Sequence, residues 1–190
     1  MRKIIVSEYV TLDGVMEDPG GAEGFKYGGW SFGFGGEEQQ QYKFNELFAA
    51  DALLLGRRTY QGFAAAWPNM PGTGAYGERM NSLPKYVVST TLSEVTWNAT
   101  LLKGDLAEEL SRLKQEAGQD IVIFGSGELV RTLHERNLID EYRLMVFPVV
   151  LGSGKRLFPG GNGKKALKLV EARTLGSGVV LLTYQPERKE

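Results

Sequence analysis

The sequence predicts an α/β protein: three layers, αβα, around a mixed and mostly parallel sheet whose C-terminal edge is antiparallel. Two observations predict it. Short apolar β-rich runs alternate with segments of helical spacing, the pattern of a sheet with helices on its faces. The last two β-rich runs are instead joined by the tight Gly176-Ser177-Gly178 connection, which forces an antiparallel pair.

Taken in order, Lys3 to Val10 is a β-rich run that ends in a turn at Asp13-Gly14. Residues 19–36 are glycine-rich and carry Phe25, Tyr27, Trp30, Phe32 and Phe34. Glu37 to Ala50 reads as a helix with Phe44, Leu47 and Phe48 on its apolar face. Ala52 to Leu55 is a short buried strand that stops at Gly56, and Arg57 to Ala66 is helical until Pro68 ends it. A proline and glycine loop runs from Pro68 to about Gly77. Tyr86 to Val88 is a strand closed by Ser89-Thr90-Thr91. Leu106 to Ala117 is an amphipathic helix with Leu106, Leu110 and Leu113 on one face. Ile121 to Phe124 is a strand, Gly125-Ser126-Gly127 opens a helix over Glu128 to Arg136, and Glu141 to Val150 is a strand. Lys165 to Arg173 and Val179 to Tyr184 form the terminal hairpin.

Composition narrows the function. The 190 residues carry 22 Lys+Arg against 23 Asp+Glu, so no broad basic field invites nucleic acid. With no cysteine and one histidine, a disulfide scaffold, a thiolate metal site, a cysteine nucleophile and a multi-histidine zinc site are all excluded within one chain. Glu8 and Asp13 interrupt the N-terminal apolar run too early for a signal peptide, and no run reaches the ~18 residues of a membrane helix. The expectation is one cytoplasmic domain over residues 1–190, without membrane contact.

In open α/β sheets ligands sit beyond the carboxyl ends of the strands. Three such ends stand out. In Leu53-Leu54-Leu55-Gly56-Arg57-Arg58-Thr59-Tyr60 a strand feeds a helix whose first-turn N–H groups and dipole favour an anion. There Gly56 permits close approach, Thr59 offers a hydroxyl, and Arg57 and Arg58 offer charge-assisted bonds. Ile123-Phe124-Gly125-Ser126-Gly127-Glu128-Leu129-Val130 repeats the arrangement and suits a pyrophosphate, although Val130 replaces the last glycine of the dinucleotide fingerprint. Ser89 and Thr90 end a third strand, where hydroxyls can bond phosphate or ribose or simply close the turn. Gly152-Ser153-Gly154-Lys155 fails as a P-loop because Arg156 replaces the required Ser/Thr. His134, the single histidine, sits on a helix face and is expected at the surface.

The order of these segments carries a resemblance. Thr11-Leu12-Asp13-Gly14, then Gly56-Arg57-Arg58-Thr59-Tyr60 with Trp67-Pro68, then Gly125-Ser126-Gly127-Glu128-Leu129, resembles dihydrofolate-reductase-like proteins. Leu138-Ile139-Asp140-Glu141-Tyr142, Pro148-Val149-Val150-Leu151-Gly152-Ser153-Gly154 and Leu157-Phe158 are more similar to the reductase domain of the bifunctional riboflavin-biosynthesis deaminase-reductase. These 190 residues do not hold the deaminase domain, which needs zinc-ligating Cys and His.

The resemblance implies a dihydrofolate-reductase-like fold and NADPH as hydride donor. Gly56, Arg57 and Thr59 would hold cofactor phosphates, with Arg57 toward the 2′-phosphate and Arg58 adding the charge-assisted bonds read above. Ser89 and Thr90 would lie near the adenosine ribose phosphate, and Gly125, Ser126, Gly127, Glu128 and Leu129 would form the pyrophosphate loop. It also implies a homodimer. Dihydrofolate reductases carry an acidic residue early in the helix after the first loop, a place where this chain offers Glu37 and Glu38. Asp13, at the end of the first strand, is the expected polar residue at the substrate, either as proton relay or as a plain turn residue. The aromatic loop from Pro19 to Gly36 is expected to act as a lid over a flat heterocycle, or to pack on the core or a partner subunit. The function expected is an NADPH-dependent reductase of a small heterocycle, resembling 5-amino-6-(5-phosphoribosylamino)uracil reductase. A non-catalytic nucleotide-binding dimer and a dihydrofolate reductase remain alternatives.

Overall fold

The computed structural model describes residues 1–161 and 163–187. The strands are β1 (Ile4–Thr11), β2 (Ala50–Gly56), β3 (Lys85–Val88), β4 (Ala99–Leu102), β5 (Asp120–Phe124), β6 (Glu141–Phe147), β7 (Leu167–Thr174) and β8 (Val180–Pro186). The helices are α1 (Glu37–Ala49), α2 (Arg57–Ala66), α3 (Gly74–Ser82), α4 (Leu106–Gln115) and α5 (Gly127–Glu135). One eight-stranded sheet has the order β4-β3-β2-β5-β1-β6-β8-β7. Its β4 to β6 portion is parallel, and β8 and β7 add antiparallel at the edge.

Two apolar layers follow from the period of the strands. Ile4, Val6 and Val10 of β1, with Ala52 and Leu54 of β2, pack under Leu110 and Leu113 of α4 and Leu129, Val130 and Leu133 of α5. The alternate residues Ile5, Leu53 and Leu55 face Leu47 of α1, Tyr60 of α2, and Met80 and Leu83 at the end of α3. A side chain pointing up at one position points down at the next, so an apolar strand buried on both faces holds helices on both.

Two elements escaped the sequence pattern. The stretch read as a loop to about Gly77 holds the first turn of α3, whose glycine start hides its helical character. The edge strand β4 has four residues and one buried side chain, too little for a period to register. On α1 only Leu47 of the expected apolar face is buried. Phe44 and Phe48 stack on each other at 4.2 Å near the surface, Phe48 being 44% exposed, while the buried residues are Gln39, Glu46 and Leu47. His134 is buried rather than exposed, its Nδ1 lying 2.7 Å from the Tyr142 hydroxyl.

The loop before α1 is built around a buried carboxylate. Asp18 accepts the N–H groups of Glu23 and Phe25 at 3.1 and 3.2 Å. Trp30 sits edge-on to Phe147 with ring centres 5.4 Å apart and donates its indole N–H to the Glu17 carbonyl at 2.7 Å. Trp30 and Phe34 thus join the core beside β6 and β8, whereas Phe32 is 69% exposed and reaches a cavity. Trp30 and Phe34 therefore anchor this loop to the core, while Pro19, Gly20, Ala22, Glu23, Ser31 and Phe32 line the cavity.

Candidate active site

Pairing between β1 and β5 runs from Ile4↔Ile121 to Ser7↔Phe124 and stops. β1 continues against β6 alone, as far as Thr11↔Phe147. The sheet opens at this divergence, and a cavity of about 1180 Å³ lies over it. Its upper wall is made by the strand-end turns. Gly56, Arg57, Arg58, Thr59, Ser89, Thr90, Gly125, Ser126, Gly127, Glu128 and Leu129, which are far apart in sequence, all line it.

The two glycine turns hold each other. Gly56 N–H donates to Ser126 Oγ at 3.0 Å, and Ser126 N–H donates to Thr59 Oγ1 at 2.9 Å. Gly125 and Ser126 both adopt left-handed backbone, at φ 56° and 59°. For Ser126 this conformation costs on the order of 1–2 kcal/mol, a strain found where a backbone must be presented in one orientation. Neither α2 nor α5 has a side-chain cap, whereas α4 is capped by Asp105, which accepts from Ala107 and Glu108 N–H. In α5 the first helical bond is Val130 N–H to the Ser126 carbonyl, 2.9 Å. The N–H groups of Gly127, Glu128 and Leu129 therefore precede the helical ladder. Arg57, Arg58, Arg131, Lys155 and Arg156 add positive charge to the lining. Ser89 is partly committed to its own turn, its Oγ accepting from Thr91 and Leu92 N–H at 3.2 and 3.1 Å.

Asp13 does not line this cavity. Its carboxylate accepts Thr11 Oγ1 at 2.6 Å, Gly152 N–H at 2.8 Å and Leu151 N–H at 3.2 Å. The Thr11 hydroxyl and these amides hold it down to a pKa of about 2, an anion fixing one turn to another. Glu37 and Glu38 are also absent from the lining, and Glu38 accepts Gly176 N–H at 2.9 Å.

The cavity floor holds ionisable groups that the motifs did not reveal. Glu8 of β1 is 5% exposed and accepts Gly125 N–H on Oε2 at 3.1 Å. Its Oε1 is buried and has no hydrogen-bond partner among the described residues. Burial pushes the Glu8 carboxyl well above the usual carboxylate range; nearby Lys43 and the Gly125 N–H oppose this, and Glu46 reinforces it. Lys43 of α1 donates to Ser7 Oγ at 2.8 Å and lies 2.5 Å from Glu46 Oε2 and 4.2 Å from the Phe124 ring centre. Glu46 also accepts the Ser7 hydroxyl at 2.8 Å and faces Arg143 Nη1 at 3.4 Å. The signal in the sequence was the polar set Gln39, Lys43 and Glu46 at i, i+4 and i+7, on a face that packs inward.

Comparison with known proteins agrees with this architecture. A family model for the RibD C-terminal domain matches residues 2–181. YyaP, an uncharacterized protein of Bacillus subtilis (strain 168), is 33% identical over 186 residues, covering 96% of this chain and 94% of its own. A protein of Shewanella sp. PV-4 provisionally named for riboflavin biosynthesis superposes with a TM-score of 0.78 at 24% identity, covering 98% of this chain and 99% of that one. The dihydrofolate reductase of Enterococcus faecalis, solved with NADP(H) and RAB-propyl, gives a TM-score of 0.64 at 14% identity, covering 98% and 97%. The chain belongs to the RibD C-terminal domain family and has a dihydrofolate-reductase-like fold.

Proposed function

We propose that this member of the RibD C-terminal domain family is an NADPH-dependent reductase that transfers a hydride to a small heterocycle. One observation carries the reading: three strand-end turns converge on a single cavity, and the first-turn amides of α2 and α5 open into it without side-chain caps. Such a wall suits a diphosphate, because amide dipoles and helix ends favour anions without bringing in further side chains.

The fit is residue by residue. Gly127, Glu128 and Leu129 would hold the pyrophosphate through their N–H groups, Glu128 serving by its backbone. Arg57 and Arg58, exposed on the first turn of α2, would meet the 2′-phosphate, and Ser89 and Thr90 would border the adenosine ribose. When bound, the coenzyme supplies the hydride; the chain binds, orients and excludes water. Phe32, at the loop tip, would cover the heterocycle. Because Glu37 and Glu38 lie away from the cavity, the floor differs from what a dihydrofolate reductase would place there.

Titration with NADPH, followed by tryptophan fluorescence, tests the reading directly, since Trp67 lines the cavity. Saturation in the micromolar range is expected, with NADPH oxidation once a pyrimidine or pterin acceptor is supplied. Absence of any saturable signal up to millimolar coenzyme would overturn it, and binding without turnover on any acceptor would favour a non-catalytic module. Homodimer formation is part of the same proposal. The outermost strand β7 leaves Leu169 and Val170 about half exposed on an unpaired edge, and light scattering should return twice the 21.0 kDa chain mass.

A further inference from the structure

Reduction of a ring double bond consumes a proton as well as a hydride, and the proposed function leaves the source of that proton open. The source must be an acid that keeps its proton at working pH, has an unengaged atom, and borders the opening between β1 and β5. The cavity offers few. Of the lining carboxyls, Asp18 is filled by backbone amides, half-buried Glu17 accepts Lys155 N–H at 2.8 Å, and Glu23 and Glu128 lie exposed on the rim. Lys43 is tied to Ser7 and Glu46. Glu8 is the one lining carboxyl among the described residues that is buried with an oxygen lacking a partner, its Oε2 being on Gly125 N–H and its Oε1 unpartnered.

We infer that Glu8 is the proton donor of this reductase, delivering a proton from Oε1 to the substrate nitrogen or oxygen adjacent to the carbon that is reduced. The inference rests on the reductase reading. The Oε1–H bond breaks as an N–H or O–H bond forms on the substrate, whose ring carbon receives the hydride and its electron pair from the reduced nicotinamide. The substrate thereby gains two hydrogens, and solvent returns one proton to Glu8. The carboxylate left behind is stabilised by the Gly125 N–H and by Lys43. Lys43 is a positioning residue, since Ser7 and Glu46 from one side and the Phe124 ring from another fix its ammonium. The charged groups around Glu8 are Lys43 and Glu46 of α1, with Arg143 of β6 reaching it through Glu46. A buried acid kept neutral until substrate arrives is a common way to place a proton at a hydride site. The substrate class narrows accordingly, to heterocycles with a C=N or C=O acceptor rather than an isolated carbon–carbon double bond.

Infrared spectroscopy of the full chain without coenzyme tests the stored proton. A protonated-carboxyl band is expected to persist above the pH at which ordinary carboxyls lose it, and to be lost in Glu8→Gln and retained in Glu23→Gln. In Lys43→Met the pH at which this band disappears should move upward, because the cation favouring the carboxylate is gone. A wild-type spectrum without the band, or a band removed by Glu23→Gln instead, overturns the inference. Fluorescence titration then separates roles: Glu8→Gln should bind NADPH within twofold of wild type, whereas tenfold weakening would make Glu8 a coenzyme anchor and not a donor. With an accepted heterocycle, kcat of Glu8→Gln should fall about 100-fold, with partial recovery and a shifted pH profile in Glu8→Asp; an unchanged kcat removes Glu8 from the chemistry. A wild-type chain that shows the band but never binds NADPH would sink the reductase reading and not the acid at Glu8.

Discussion

The rim and the floor of the cavity are built by opposite means. The rim uses backbone: glycine turns, uncapped helix starts and two left-handed residues, with arginines near the solvent. The floor uses side chains taken out of water, where Ser7, Lys43 and Glu46 bond to one another and the charges of Lys43 and Glu46 act on Glu8 under the sheet opening. A backbone site presents the same donors whatever the pH. A buried side-chain site has its charge set by its neighbours, so it can hold a proton for use. On the proposed function, the difference predicts that rim changes alter coenzyme affinity, whereas floor changes alter rate and pH dependence.

The widest separation is expected at Glu8, where Glu8→Gln should cost about 100-fold in turnover and leave NADPH affinity almost untouched. Loss of both together would erase the distinction. Next comes Gly125→Ala. Its φ of 56° is unfavourable to alanine, and the added Cβ would lie 3.1 Å from Thr59 Oγ1, against the clasp between the two turns. A weakening of NADPH binding by about tenfold is expected, from strain of roughly 1–2 kcal/mol. Arg57→Ala should weaken NADPH about fivefold and NADH hardly at all, as fits one exposed ion pair worth up to about 1 kcal/mol. Equal weakening of both coenzymes would remove Arg57 from the 2′-phosphate. Asp105→Ala is the control: loss of the α4 cap should lower stability by about 1 kcal/mol in urea melts and leave coenzyme affinity as it was.

The floor also leaves a mark on stability. Burial raises the Glu8 carboxyl above its ordinary 4.5, so the folded chain keeps a proton that the unfolded chain releases above that pH. The stability associated with the neutral carboxyl is full below pH 4.5 and declines as pH climbs toward the raised value. Glu8→Gln removes this decline. The gap between the urea midpoints of variant and wild type should therefore widen with pH in favour of the variant. A constant gap across pH 4 to 8 would mean the carboxyl is not held neutral.

By itself the sequence determined the layers, the strand order's antiparallel edge and the rim. Alternating apolar runs, a tight hairpin connection and glycines at strand ends are local patterns, and Gly56 and Gly125 announce their turns within a few residues. Asp13 shows the limit of such reading, because an Asp-Gly pair looks the same whether its carboxylate faces a substrate or, as here, two loop amides and a threonine. Only the tertiary structure decided the floor. Glu8 lies 35 residues from Lys43 and 117 from Gly125 in the chain, and what makes it an acid is burial, with the proximity of these groups tuning it. Desolvation and charge coupling depend on distance through space, which no local spacing encodes.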